Sequence, residues 1–157
     1  MTKEEIAIKL KDKFGSELEI LETNQPEAYV YISPARYHEL CQFLKEAPEF
    51  DFDYLFQLGG VHYPEDRFEL VLCFSSHERR HNMILKVKLD KDNPQIVTTS
   101  DIWMAANWYE REAAELFGIK FVGHPDPRHL LLDDDWDSGY PLRKGWTGPD
   151  FISMPEK

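Results

Sequence analysis

Residues 52–90 read FDYLFQLGGVHYPEDRFELVLCFSSHERRHNMILKVKLD, and three apolar runs within them set the architecture. Phe52 to Val61 and Arg67 to Ser75 are rich in aromatic and β-branched residues, side chains that suit a pleated, half-buried surface. Tyr63-Pro64-Glu65-Asp66 between them is a turn sequence, so the two runs are expected to pair antiparallel. After the polar SSHERRHN, Ile84, Lys86 and Lys88 alternate with Leu85, Val87 and Leu89, which predicts a third strand with one wet face. Gly59-Gly60 interrupts the first run and marks either a bulge or a close approach by another backbone.

On the N-terminal side, Ile6, Leu10 and Phe14 recur at helical spacing, Thr2 can cap the start and Gly15 can stop it, predicting a helix over residues 2–14. Ala28 to Ser33 reads as a strand. Ser33-Pro34 has the form of an N-cap followed by proline at the first helical position; Tyr37, Leu40, Cys41 and Leu44 then share one face of a helix ending near Ala47-Pro48. On the C-terminal side, Asp92-Asn93-Pro94 breaks the sheet. Thr99 or Ser100 is expected to cap a helix from Asp101 to Phe117, closed by Gly118, with Ile102, Ala105, Ala106, Tyr109, Ala113 and Leu116 as its buried stripe. Beyond it, Pro125, Pro127, Pro141, Pro149 and an acidic run predict little regular structure. The order α-β-α-βββ-α points to an α+β fold. A single domain over residues 1–118 packs an antiparallel-rich mixed sheet against helices, and residues 119–157 form an extended proline-rich C-terminal arm.

Composition excludes several functions. With 18 Lys plus Arg against 29 Asp plus Glu, the net charge of −11 repels phosphate backbones, so nucleic acid is not an expected partner. Cys41 and Cys73 are the only cysteines and form no C-x-x-C, which leaves no disulfide framework, zinc ribbon or iron–sulfur cluster and fits a reducing cytoplasm. The N-terminus is charged, and no run of about eighteen apolar residues occurs, so the expectation is a chain neither secreted nor membrane-spanning. No Gly-rich nucleotide loop is present. His62, His77 and His81 lie near strand ends, where a surface position is the default, and no nucleophile stands in a recognisable grouping with a base.

Two clusters carry polar chemistry. Glu110, Arg111 and Glu112 point about 100° apart on a helix, so at least one is expected to face protein, and a buried carboxylate needs a cation or donors. Arg128 and Arg143 are the expected cations, and pairing with them would clamp the arm to the helix. Arg111 and Glu115 are also spaced as an i, i+4 pair. His124, Asp126, His129 and Asp133 to Asp135 contain metal-ligand atoms, but the histidine spacing is broken by Pro125 and Pro127, and hydrogen bonding within the arm is the favoured reading.

The stretch NWYEREAAELFGIKFVGHPDPRHLLLDDDWDSGYPLRKGW resembles the signature of the 30-kilodalton subunit family of respiratory complex I, whose members are its C subunits. The resemblance rests on Glu110-Arg111-Glu112, Glu115-Leu116-Phe117-Gly118-Ile119, Gly123-His124-Pro125-Asp126, Arg128, Leu130-Leu131, Asp134-Asp135-Trp136 and Pro141-Leu142-Arg143-Lys144, and extends more weakly upstream to about residue 50. It implies a peripheral-arm subunit of an NADH:quinone oxidoreductase with no active site or redox centre of its own. FMN, iron–sulfur clusters and quinone would lie in other subunits, and attachment would be peripheral, at the cytoplasmic face of the inner (plasma) membrane. Its partners would be the quinone-site subunit, of the D type, and the neighbouring iron–sulfur subunits. Glu110, Arg111, Glu112 and Arg128 would anchor the root of the arm, while His124 to Lys144, with Trp136, Pro141, Leu142 and Arg143, would contact the quinone-site subunit, since short turns cannot bury those groups alone. A homologous subunit of a membrane-bound nickel–iron hydrogenase, a quinone oxidoreductase with another donor, and a stand-alone metal enzyme using His124, Asp126, His129 and Asp135 remain as alternatives.

Overall fold

Tyr54–Tyr63 (β3), Arg67–Ser76 (β4) and His81–Leu89 (β5) form successive antiparallel ladders in the computed structural model, which describes residues 1–65, 67–148 and 152. Alternation sorts their side chains. Phe68, Leu70, Leu72 and Phe74 of β4 stand opposite Leu89, Val87, Leu85 and Met83 of β5, all buried, while Ile84, Lys86 and Lys88 point to the other face. Ala28–Ile32 (β2) adds parallel to β5, and Leu18–Leu21 (β1) adds antiparallel to β2, giving the order β1-β2-β5-β4-β3. The parallel step is possible because a helix, β3 and β4 intervene between β2 and β5, enough chain for a crossover. The sheet is thus mixed and antiparallel-rich, as expected, but β1 has no counterpart in the sequence reading; LEIL is too short for a period to emerge.

Helix α1 (Lys3–Phe14) starts on the expected cap: the Glu5 amide donates to Thr2 Oγ1 at 3.2 Å and the Thr2 amide to Glu5 Oε2 at 2.9 Å. Helix α2 (Tyr37–Glu46) begins later than Ser33-Pro34 suggests. The Arg36 amide bonds to the Ser33 carbonyl to make a preceding turn, and Ser33 Oγ donates to Glu17 instead of capping. Helix α3 (Ala106–Phe117) likewise begins five residues after Asp101, because the Thr99 carbonyl accepts both the Ile102 and Trp103 amides at 3.0 Å and closes a turn there. Gly118 ends α3 in the left-handed region at φ 72°, as expected. The buried face of α3 is Ala106, Glu110, Ala113 and Glu115; Ile102 and Tyr109 only flank the core.

All three helices contribute to one core with the buried strand face, leaving the opposite sheet face uncovered by them. Directly beyond Gly118, where little regular structure is expected, Lys120–Val122 (β7) pairs parallel with Gln95–Val97 (β6), and Ile119 and Phe121 enter the same core. With three residues each, neither strand announces itself by periodicity. At the glycine pair the neighbour proves to be side chains: a Cβ on Gly60 would lie 2.8 Å from the Phe117 ring and 2.9 Å from Ile119, while the bulge sits between Leu55 and Gln57. His77 is exposed, but His62 and His81 are buried, the latter bonding the Phe50 carbonyl at 2.6 Å. Pro149 and most of the residues beyond it lie outside the described residues.

Candidate functional site

Three groups of contacts order the surroundings of α3, and the second and third hold residues 128–146. First, Glu110 is fully buried and accepts from the Thr99 amide at 2.7 Å, from Thr99 Oγ1 at 2.9 Å, and from Thr98 Oγ1. Burial pushes its carboxyl above the ordinary value, partly offset by these donors and by His124, 3.9 Å away. The expected cations are not its partners: Arg128 is engaged with Asp126, Arg143 with the end of α3, and the threonines do the work assigned to arginine. Sequence reasoning missed both threonines, reading Thr99 as a helix cap and giving Thr98 no role; a buried carboxylate and a nearby Thr-Thr-Ser donor cluster was the available signal.

Second, Arg111 and Glu115, one turn apart, grip the main chain of the segment. Arg111 Nε donates to the Arg128 carbonyl at 2.9 Å and Arg111 Nη2 to the His129 carbonyl at 2.7 Å. The buried Glu115 carboxylate accepts from the amides of Leu130 and Leu131 at 2.8 Å and of Leu132 at 3.3 Å. Carbonyls and amides of five consecutive residues, which have no ladder of their own, are thus satisfied by one cation and one anion. Glu112, between them, is exposed.

Third, the segment closes over the end of α3. Arg143 Nε donates to the Phe117 carbonyl at 2.8 Å, and its guanidinium lies 4.5 Å from the Tyr140 ring and 5.0 Å from the Phe68 ring. The Leu142 amide bonds to the Leu116 carbonyl at 3.0 Å, and the Lys144 amide to His62 Nδ1 at 2.9 Å. Trp136 and Trp146 face each other at 6.2 Å, with their indole N–H groups on the carbonyls of Gly139 and Ser138. The segment therefore folds on itself and on its own domain more than its composition suggests. Leu131, Tyr140 and Leu142 nevertheless point to solvent, 64%, 40% and 50% exposed.

His124 Nδ1 accepts the Asp126 amide at 3.1 Å and its Nε2 lies 3.1 Å from the Asn107 carbonyl, so both ring nitrogens are engaged with main chain. Pro125 follows on the exposed face of that turn. Asp126 forms a two-point pair with Arg128 at 2.7 and 2.8 Å, which holds its carboxyl down at about 2. His129 Nδ1 is bonded to the Asp133 carbonyl at 2.8 Å. The side chains of His124, Asp126 and His129 are thus bonded to protein partners, and among the described residues no three His, Cys, Asp or Glu side chains cluster as a metal site. A cleft of about 370 Å³ between α3, β7 and Pro127 has Glu110 and His124 in its lining, with mostly apolar walls.

A family model described as respiratory-chain NADH dehydrogenase, 30 Kd subunit, matches residues 30–151. The C subunit of the NADH-quinone oxidoreductase of Chloroherpeton thalassium is 37% identical over 139 residues, 87% of this chain and 58% of that protein, so the chain spans little more than half of this relative. The C subunit of the F(420)H(2) dehydrogenase of Methanosarcina mazei is 38% identical over 119 residues, 75% of this chain and 74% of that one. The C/D subunit of the NADH-quinone oxidoreductase of Acinetobacter baumannii is 34% identical over 151 residues, 90% of this chain and 25% of the relative. The solved structure titled as a trypsin-resistant fragment (1-134) of Nqo5 superposes with a TM-score of 0.69 at 25% identity, covering 79% of this chain and 98% of that fragment.

Proposed function

This chain belongs to the family of the respiratory-chain NADH dehydrogenase 30 Kd subunit, and from that premise we propose that it is a non-catalytic peripheral-arm subunit of an NADH:quinone oxidoreductase. Its work is to dock and hold neighbours that carry FMN, iron–sulfur clusters and the quinone site, so that electrons pass from NADH to quinone with coupled proton translocation. The observation that carries the reading is the grip of Arg111 and Glu115 on residues 128–132, which turns a stretch without helix or strand into a fixed ridge that displays Leu131, beside Tyr140 and Leu142 where the segment closes over the end of α3. The division into a globular domain (1–118) and a partner-facing arm (119–157) belongs to the same reading. In it Glu110, Arg111, Glu112, Glu115, Gly118, His124, Pro125, Asp126 and Arg128 form the root, and Trp136, Pro141, Leu142, Arg143 and Lys144 the contact.

A D-type quinone-site subunit is the partner proposed for the arm, in keeping with the C/D relative, in which the two names share one chain. Attachment is peripheral, on the cytoplasmic face of the inner (plasma) membrane; among the described residues no helix is long and apolar enough to cross a bilayer. A complex fed by a donor other than NADH is the second reading, favoured by the similarity to the F(420)H(2) dehydrogenase protein.

Affinity purification of the tagged chain from membranes in mild detergent tests both. Nucleotide- and flavin-binding subunits beside a quinone-site subunit are expected; a deazaflavin-oxidising partner establishes the second reading, and a nickel-bearing large subunit would make the complex a hydrogenase. Leu142→Asp, on an exposed side chain, and Arg143→Ala should each lower recovery of the quinone-site partner about tenfold. Unchanged assembly and activity in both variants would overturn the assignment of the arm.

A further inference from the structure

Of the four tryptophans in the chain, three place the indole N–H on a main-chain carbonyl: Trp103 on Phe52, Trp136 on Gly139 and Trp146 on Ser138. Trp108 is the exception. It is 59% exposed, and among the described residues its N–H has no hydrogen-bond acceptor. Met104, four residues earlier in the turn that leads into α3, is 89% exposed. Apolar surface of this size is unfavourable in water, and both residue types are enriched where proteins meet.

The place of Trp108 on α3 identifies its neighbour. Trp108, Arg111 and Glu115 are spaced three and four residues apart and share one helix face. Arg111 and Glu115 hold the main chain of residues 128–132, so the arm lies along the C-terminal part of that face and leaves Trp108 uncovered one turn away. Arg111 joins the two parts. Its guanidinium lies 5.4 Å from the Trp108 ring, while Nε and Nη2 donate to the Arg128 and His129 carbonyls and Nη1 lies 3.8 Å from Asp126. With its side chain only 10% exposed and its donors committed, Arg111 is a fixed support for one side of the indole. Trp108 is thereby continuous with the ridge that displays Leu131. We propose, resting on the partner-facing role given to the arm, that Trp108 and Met104 extend its contact. The polypeptide that meets Leu131 and Leu142 continues along α3, lays an apolar side chain on the uncovered surfaces of Trp108 and Met104, and offers a main-chain carbonyl to the indole N–H. A docking point on a helix gives that contact a rigid anchor beside a segment that has no ladder of its own.

The test places p-benzoylphenylalanine at Met104, and separately at Leu142, in the full-length chain expressed in cells that assemble its complex; irradiation and peptide mass spectrometry identify what is captured. The expected result is peptides of one polypeptide, other than this chain, from both positions. Trp108→Ala should lower the yield at Met104 about tenfold, and Trp108→Phe, which keeps an aromatic ring but loses the N–H, about threefold. Trp108→Phe should leave the yield at Leu142 within about twofold, which marks the loss as local. If Trp108→Ala lowers the unfolding temperature, Trp108→Phe alone is scored. Capture at Leu142 with silence at Met104, different polypeptides at the two positions, capture of lipid or of a second copy of this chain at Met104, or a Met104 yield indifferent to the scored variant overturns the inference and leaves the arm's role standing. Silence at Leu142 removes the arm's role and the inference with it.

Discussion

Glu110 and Glu115 lie on one helix and are both buried, yet their environments make opposite demands. The Glu110 carboxyl is fully buried, and although Thr98, Thr99 and His124 partly offset the effect, burial raises its folded-state pKa. A raised folded value means that its favourable contribution is complete below the unfolded value of about 4.3 and is lost as pH rises through the folded value. Relative to Glu110→Gln, the wild-type protein should therefore lose stability as pH rises above the ordinary carboxylate range, read from urea unfolding at each pH; a constant difference would refute the assignment. Glu115 instead accepts three main-chain amides, and Glu115→Ala should cost about 2 kcal/mol and speed proteolytic cleavage within residues 123–146. That one of three consecutive charges would turn inward was legible from helical geometry. Its partners were not, because Thr99 has two competing uses, cap and donor, and only the tertiary structure selects between them and brings Thr98 alongside.

At the scale of elements, legibility followed length. The strands β3, β4 and β5 span nine or ten residues, enough for alternation to stand out, and α1 carried both of its end signals. Strands β1, β6 and β7 have three or four residues, and their existence depends on pairing partners elsewhere in the chain. The starts of α2 and α3 were misplaced for a shared reason: Ser33 and Thr99 are good caps, but each carbonyl is used in a turn that delays the helix. The other end of α3 gives a sharp test. Gly118 has φ 72°, and a Cβ there would lie 2.6 Å from Tyr140 and 2.7 Å from Arg143, so Gly118→Ala should cost about 2–3 kcal/mol and release Arg143 from Phe117. Gly145 has φ 79° with no neighbour within 4 Å, and Gly145→Ala should cost only about 1 kcal/mol. Thermal unfolding of the two variants separates backbone strain from collision.

For the whole molecule, the segment beyond β7 is held by contacts of a different kind from the core, and acid should separate the two. The Arg128 guanidinium keeps Asp126 at about 2, so the pair is intact above the ordinary carboxylate range and its contribution is lost as pH falls toward that value. Amide exchange in residues 124–132 should accelerate as pH is lowered from about 5 to about 2.5, after correction for intrinsic rates, while β4 and β5 stay protected. Uniform loss of protection would mean that the segment and the sheet open together. The α+β class was readable from the chain; the fold-back of the segment was not, because indole-to-carbonyl and arginine-to-carbonyl bonds leave no periodic trace. The grip of Arg111 and Glu115 also bears on divergence. Both residues hold peptide groups, so the identities of side chains 129–132 are left out of the anchoring and can drift under selection from whichever neighbour they meet. One helix can in this way present a rewritable surface while its own hold on the main chain stays fixed.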